Sequence, residues 1–209
     1  MARLATSIAV MLALSLEAFG GFYGGGTTRQ WEANAQRYTL TGAGLGYSYR
    51  QGRWIYDVSY MNYADQRLLV AAGQEYWYRA QSFQGSVEYR FAFKKYFFAG
   101  PQAGVEHLQT RWKTVQNGQA QQSGSKTSTA VPFKECVGAY PDRRSLIRAC
   151  YEFSSDLSDH ANARQGVELS GHFVLADRLT LLGTYYEALS AGGGMDAYRT
   201  YGFGVGLSF

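Results

Sequence analysis

Three side chains with hydrolytic chemistry fall at alternate positions: Glu168, Ser170 and His172. Alternate residues of a β-strand share one face, so a carboxylate, a hydroxyl and an imidazole would point the same way. Nucleophilic hydrolysis needs these groups in mutual contact. Residues two apart on a strand are separated by about 7 Å, which strains hydrogen bonds within the trio. The catalytic reading of Glu168, Ser170 and His172 is therefore the weaker one. The stronger one makes His172 a buried polar residue, hydrogen-bonded to a neighbouring acid. His107 and His160 stand alone, and His160 lies in a polar loop, so no metal site is expected. The glycines have strand spacing and form no phosphate-binding loop, and no cofactor is expected.

Cys136 and Cys150 lie either side of a turn at Asp142-Arg143-Arg144. They have the same parity about Arg143, so they sit opposite each other and face the same way. A disulfide, in an oxidising compartment, and two buried free thiols both remain open. Two thiols with no further ligand nearby do not make a metal site.

The elements that must position these residues read as short segments of alternating polarity bounded by turn residues. The chain of 209 residues suits one domain. Its 17 Tyr, 12 Phe and 4 Trp favour strands, and 25 Gly with only 3 Pro suit closely packed ones. Ten segments follow: 20–29, 37–49, 54–63, 74–91, 95–112, 129–140, 145–155, 164–175, 178–189 and 197–209. Their connections alternate between long (30–36, 64–73, 113–128, 156–162, 190–196) and short (50–52, 92–94, 142–144, 176–177). The polar stretch 113–128 reads as a long mobile loop. The 74–112 hairpin is long enough to rise above a membrane. The net charge of +4 is spread singly over the chain, which argues for a solvated mixed surface and against a nucleic-acid partner.

The first 18 residues read as an export signal: Arg3, an apolar stretch from Leu4 to Leu16, then Glu17-Ala18. The last segment alternates Tyr201, Phe203, Val205, Leu207 and Phe209 with Gly202, Gly204, Gly206 and Ser208. A leader, period-two segments, alternating loop lengths and a terminal aromatic together resemble the bacterial outer-membrane β-barrel class. The resemblance implies an all-β, antiparallel up-and-down transmembrane barrel over 19–209, with ten strands, or eight as the alternative. It implies location in the outer membrane of a Gram-negative bacterium. The partners it implies are outer-membrane lipid and lipopolysaccharide, the barrel assembly machinery, which would read the terminal strand, and other envelope proteins. A secreted β-sandwich or lipocalin-like barrel accounts for the short strands, but not for the last strand ending on Phe209. Ten strands is also the count of the omptin proteases, but no omptin-like pairing of acids with a His-Asp pair is present.

With the apolar faces toward lipid, Asp57, Glu88, Arg90, Glu106, Lys134, Arg148, Glu152, Glu168 and His172 point inward. A barrel of ten strands is narrow, so paired charges would plug it or leave a slender path. The glycine faces of 20–29, 37–49 and 197–209 make the closing seam the roomiest side, where a path or plug would lie. Glu135 falls on the lipid face in this register, and a bulge near Pro132 or a local phase error is expected in place of a lipid-exposed carboxylate. Three roles follow: a structural or interaction barrel acting through its extracellular loops or in an envelope complex; a narrow channel for a small solute or polysaccharide; and a hydrolase acting on lipid A or phospholipid.

Overall fold

The computed structural model describes residues 20–33, 36–71, 74–157, 163–176, 178–191 and 198–208. The proposed export signal, the glycine-rich connection after Ser190, most of 156–162 and Phe209 lie outside the described residues.

The strands are β1 (Gly20–Ala33), β2 (Gln36–Gln51), β3 (Trp54–Ala71), β4 (Gln74–Tyr89), β5 (Phe91–Lys94), β6 (Phe97–Gln116), β7 (Gln119–Ala139), β8 (Ser145–Asp156), β9 (Arg164–Ala176), β10 (Leu179–Ala191) and β11 (Tyr198–Ser208). Each pairs antiparallel with its neighbour, and β1 pairs with β11, from Gly21 opposite Ser208 to Trp31 opposite Tyr198. β4 pairs with β6, which closes the sheet into a barrel. β5 continues β4 along β6 in the same register, after a break at Arg90. The wall therefore has ten places, with β4 and β5 sharing one. Closure through β4 and β6 pairs the long strands on both sides, the condition for crossing a bilayer with strands, and only the short β5 pairs on one side, with β6.

Alternation sorts the side chains as the pleat requires. Along β7 from Val131 to Val137, exposed and buried residues alternate without a fault. The exposed set around the barrel is apolar and aromatic, including Trp54, Val58, Phe83, Val105, Phe133, Ile147, Phe173 and Phe203. The buried set is largely polar and charged, including Glu88, Gln102, Lys134, Glu152 and Ser170. An apolar exterior around a charged interior inverts a soluble protein and suits a barrel in lipid.

Three connections expected to be long are strand. β1 and β2 run to within two residues of each other, as do β3 and β4. The stretch 113–128 is the end of one hairpin: β6 has 20 residues, β7 has 21, and they pair from Phe97–Ala139 to Gln116–Gln119. The tip is Asn117-Gly118, with φ of 50° and 80°. Positive φ at both central residues is the twist-matched two-residue hairpin turn, which Asn-Gly adopts at least cost. Low-complexity polar composition is thus compatible with strand once pairing satisfies the backbone. The unbroken apolar run of outer positions on β6 ends at Val105; His107 to Gln116 continue for about 30 Å along the strand. The elevated wall is consequently β3, β4, β6 and β7, wider than the 74–112 hairpin.

Candidate functional site

The nine polar residues expected inside all lie on the inward-facing positions. Four acids and four bases among the lumen residues form one file of alternating charge. It starts at Tyr140, whose hydroxyl accepts from Arg90 Nη1 at 2.7 Å. Arg90 Nε lies 2.6 Å from Glu88 Oε1, and Glu88 Oε2 lies 2.8 Å from Arg148 Nη1. Arg148 Nη2 reaches Glu168 Oε1 at 2.7 Å, and the other Glu168 oxygen takes Lys134 Nζ. Lys134 also lies 3.3 Å from Glu152. Arg164 Nη2 then bridges Glu152, at 2.8 Å, and Glu106, at 3.2 Å. Ser82 ends the file by donating to Glu106 at 3.0 Å.

Arg90, Arg148, Lys134 and Arg164 balance Glu88, Glu168, Glu152 and Glu106, so the file is neutral. Buried charges persist when each is paired and hydrogen-bonded. The carboxylates here receive two or more donors each. The file begins at Tyr140, beside the turn end of β7, passes Arg164, the first residue of β9, and finishes at Glu106 and Ser82, so it runs up through the barrel interior.

Arg164 is outside the set expected from the sequence, although it shares the parity of Glu168 and the same alternation points it inward. Arg29 was harder to find, because the glycines of β1 carry no apolar alternation to phase it. Its guanidinium lies between the rings of Tyr63, at 5.4 Å, and Tyr198, at 4.7 Å. Asp57 sits apart from the file and accepts from Tyr23 at 2.8 Å.

The glycine seam is used unevenly. A Cβ at Gly46 would stand 2.3 Å from the Tyr23 ring, and one at Gly44 2.7 Å from Met61, so side chains already occupy the room beside β2. On the other side of the seam, Gly25 and Thr184 face the lumen and stay exposed. The remaining space is thus beside β1, β10 and β11, beneath the Arg29 sandwich.

Cys136 and Cys150 are joined as a disulfide, opposite each other on β7 and β8 and facing the lumen. Two residues along each strand, on the same face, Lys134 lies opposite Glu152. The crosslink therefore ties together the two strands that carry Lys134, Arg148 and Glu152.

Glu168, Ser170 and His172 do not assemble into a relay. Glu168 is held by Lys134 and Arg148, and Ser170 accepts from Arg148 Nε at 3.2 Å. Among the described residues, no acid hydrogen-bonds His172, contrary to the expectation for it; the nearby acids are taken by stronger cationic donors. No cluster of three or more metal-ligating side chains occurs among the described residues.

The bulge expected near Pro132 is absent. The β7–β8 register is continuous through it, and Glu135 is exposed on the lipid side, opposite Tyr151 and Pro101. Proline has no N–H to give, and pairing to β6 lapses at Gly104 and Val105 opposite Val131 and Pro132. It resumes in the same register, so no residue is inserted and Glu135 is not turned inward.

No family model matches the sequence, and no curated protein is significantly similar to it. Solved structures share the fold. The β domain of the Bordetella autotransporter BrkA is 15% identical, with a TM-score of 0.56, covering 92% of this chain and 100% of that one. The NanC porin is 10% identical, with a TM-score of 0.51, covering 90% and 100%. The Yersinia pestis attachment invasion locus protein, Ail, is 16% identical, with a TM-score of 0.46, covering 93% and 100%. The chain has the fold of the bacterial outer-membrane β-barrels, and its apolar exterior places it in that membrane.

Proposed function

We propose that this outer-membrane β-barrel is a closed, non-enzymatic interaction protein of a Gram-negative envelope, which meets its partner through the elevated β3–β4–β6–β7 wall. One observation carries the reading. The strands that outrun the bilayer raise a stack of aromatic side chains on their concave face, while the lumen below is filled by a neutral file of charges. Tyr76 stacks on Trp112 with 15° between ring planes, and on Tyr78 with 23°. On the outer face, Lys113 lies over the ring of Trp77. These rings are half-buried, and Tyr78 also packs against the Leu40–Tyr63–Ala80 cluster; rigid aromatics that keep part of their surface open to water are characteristic of binding surfaces. The charge file supports a closed lumen because every charge in it already has a partner.

The test has two arms. Planar-bilayer recordings of the purified barrel should be silent; a steady, selective conductance would favour a channel. Pull-down from detergent-solubilised envelopes should recover a partner that is lost when the hairpin 113–122 is shortened to a two-residue turn. Recovery of a lone barrel, unaffected by that change, would refute the proposal.

A further inference from the structure

On the apolar outer face of β6–β7–β8, Glu135 is the one charged residue among those described, and it stands at mid-height; Glu187 and Arg199, on the outer side of β10 and β11, pair with each other. The apolar outer positions of β7 are Val131, Phe133, Val137 and Ala139, with Glu135 at their centre. It makes no hydrogen bond or ion pair among the described residues. A carboxylate on the lipid face of a barrel is destabilising, most of all near the midplane. Its backbone register is regular, so the exposure is built into the strand.

Two features of the surroundings indicate what covers it. Tyr151 is its direct cross-strand partner on β8, 47% exposed, with its hydroxyl also on the lipid side. The outer positions of β6 beside it are small: Ala99, Pro101 and Ala103. Ala149, opposite Val137, extends the flat surface onto β8. Small residues beside a polar group permit the close approach on which association within a membrane depends.

We infer that the outer face of β6–β7–β8 is a homodimer interface, in which Glu135 of each copy accepts a hydrogen bond from Tyr151 of the other. A two-fold axis along the membrane normal, passing between β7 and β8, sets β7 of one copy against β8 of the next at matched depth. An acceptor and a donor side by side on adjacent strands are then self-complementary, as a two-fold interface requires. A face with only the carboxylate would oppose like charges; the neighbouring hydroxyl removes that conflict. Within one copy the Tyr151 hydroxyl donates to Gln165 Oε1 at 2.9 Å. Rotation of the Gln165 amide turns this contact round, so that Nε2 donates to the Tyr151 oxygen and frees its proton for the partner's carboxylate. The inference concerns the lipid face and stands independently of the role proposed for the extracellular wall.

The experiment is dimerisation of the whole barrel in phospholipid vesicles. It is read by single-molecule photobleaching across protein-to-lipid ratios, with heat-modifiable gel mobility as the check on folding. The wild type should dimerise. Glu135→Leu and Tyr151→Phe should each weaken the dimer at least tenfold while the barrel stays folded, and their combination should add little. Glu135→Gln keeps an acceptor oxygen and should retain most of the association. Val137→Cys should form a crosslink between copies with a short bifunctional maleimide. A wild type that is monomeric at every ratio overturns the inference, as does a dimer that Glu135→Leu leaves unchanged or one crosslinked only through another face.

Discussion

Arg148 on β8 donates to Glu88 on β4 at 2.8 Å, across the lumen between strands that are not neighbours in the sheet. The residues are 60 apart in sequence. Bonds of this kind brace the barrel against flattening, which hydrogen bonds between adjacent strands cannot do.

Arg148→Gln leaves Glu88 and Glu168 without one of their cations. Breaking a buried pair from one side costs about 3–5 kcal/mol. The urea midpoint of the refolded barrel in micelles should fall accordingly. A loss under ~1 kcal/mol would mean that water reaches these groups freely.

Arg29→Ala removes the guanidinium between Tyr63 and Tyr198, above the exposed Gly25 and Thr184. The seam should open, and a bilayer that is silent with the wild type should show small discrete conductance steps. Arg164→Ala, which breaks the file at Glu152 and Glu106, is expected to act in the same direction. Silence from both variants would locate the closure elsewhere.

The disulfide joins residues 14 apart. Chain-entropy reasoning assigns a loop of that size about 3 kcal/mol. Cys136→Ser with Cys150→Ser should lower the unfolding free energy by roughly 2–3 kcal/mol, and reducing agent should reproduce the loss in the wild type only. Equal unfolding midpoints with and without reductant would contradict this.

Gly118 has φ of 80° at the tip of the β6–β7 hairpin. An alanine there costs about 1–2 kcal/mol of local backbone strain. The tip lies well above the belt, so Gly118→Ala should speed proteolysis between 110 and 125 without altering the heat-modifiable mobility of the barrel. A loss of folded barrel would show that the hairpin is needed for assembly.

Asp142, in the turn between β7 and β8, accepts from the backbone N–H of Arg144 at 2.7 Å. That hydrogen bond holds its carboxyl below the usual range. A group whose folded pKa is depressed stabilises above its unfolded pKa, near 4, and loses that contribution as pH falls through the lower folded value. Asp142→Asn should therefore be less stable than the wild type at neutral pH, and the two should converge at strongly acid pH. A constant difference down to pH 2 would assign the effect to shape and not to charge.

Outside the glycine-rich β1, alternation alone determined which face of a strand met lipid, because a period of two leaves no freedom once one face is apolar. Phe133, Val137, Ile147, Tyr151 and Phe153 marked the outside, and Lys134, Arg148, Glu152 and Glu168 followed as the inside. Parity about Arg143 likewise set Cys136 opposite Cys150. Only the closed barrel decided which inward charges meet. Glu88 and Arg148 become neighbours through the curvature of the wall, which no local pattern encodes. Strand ends were also undecided: polar residues at 113–128 suit either water-exposed strand or loop, and pairing with a partner strand is what selects the strand. At Glu135 the pattern was right and the expectation of a bulge was not. Chemistry argued for turning the carboxylate inward, but the backbone register, set by every other residue of β7, outweighs one side chain and leaves it facing lipid.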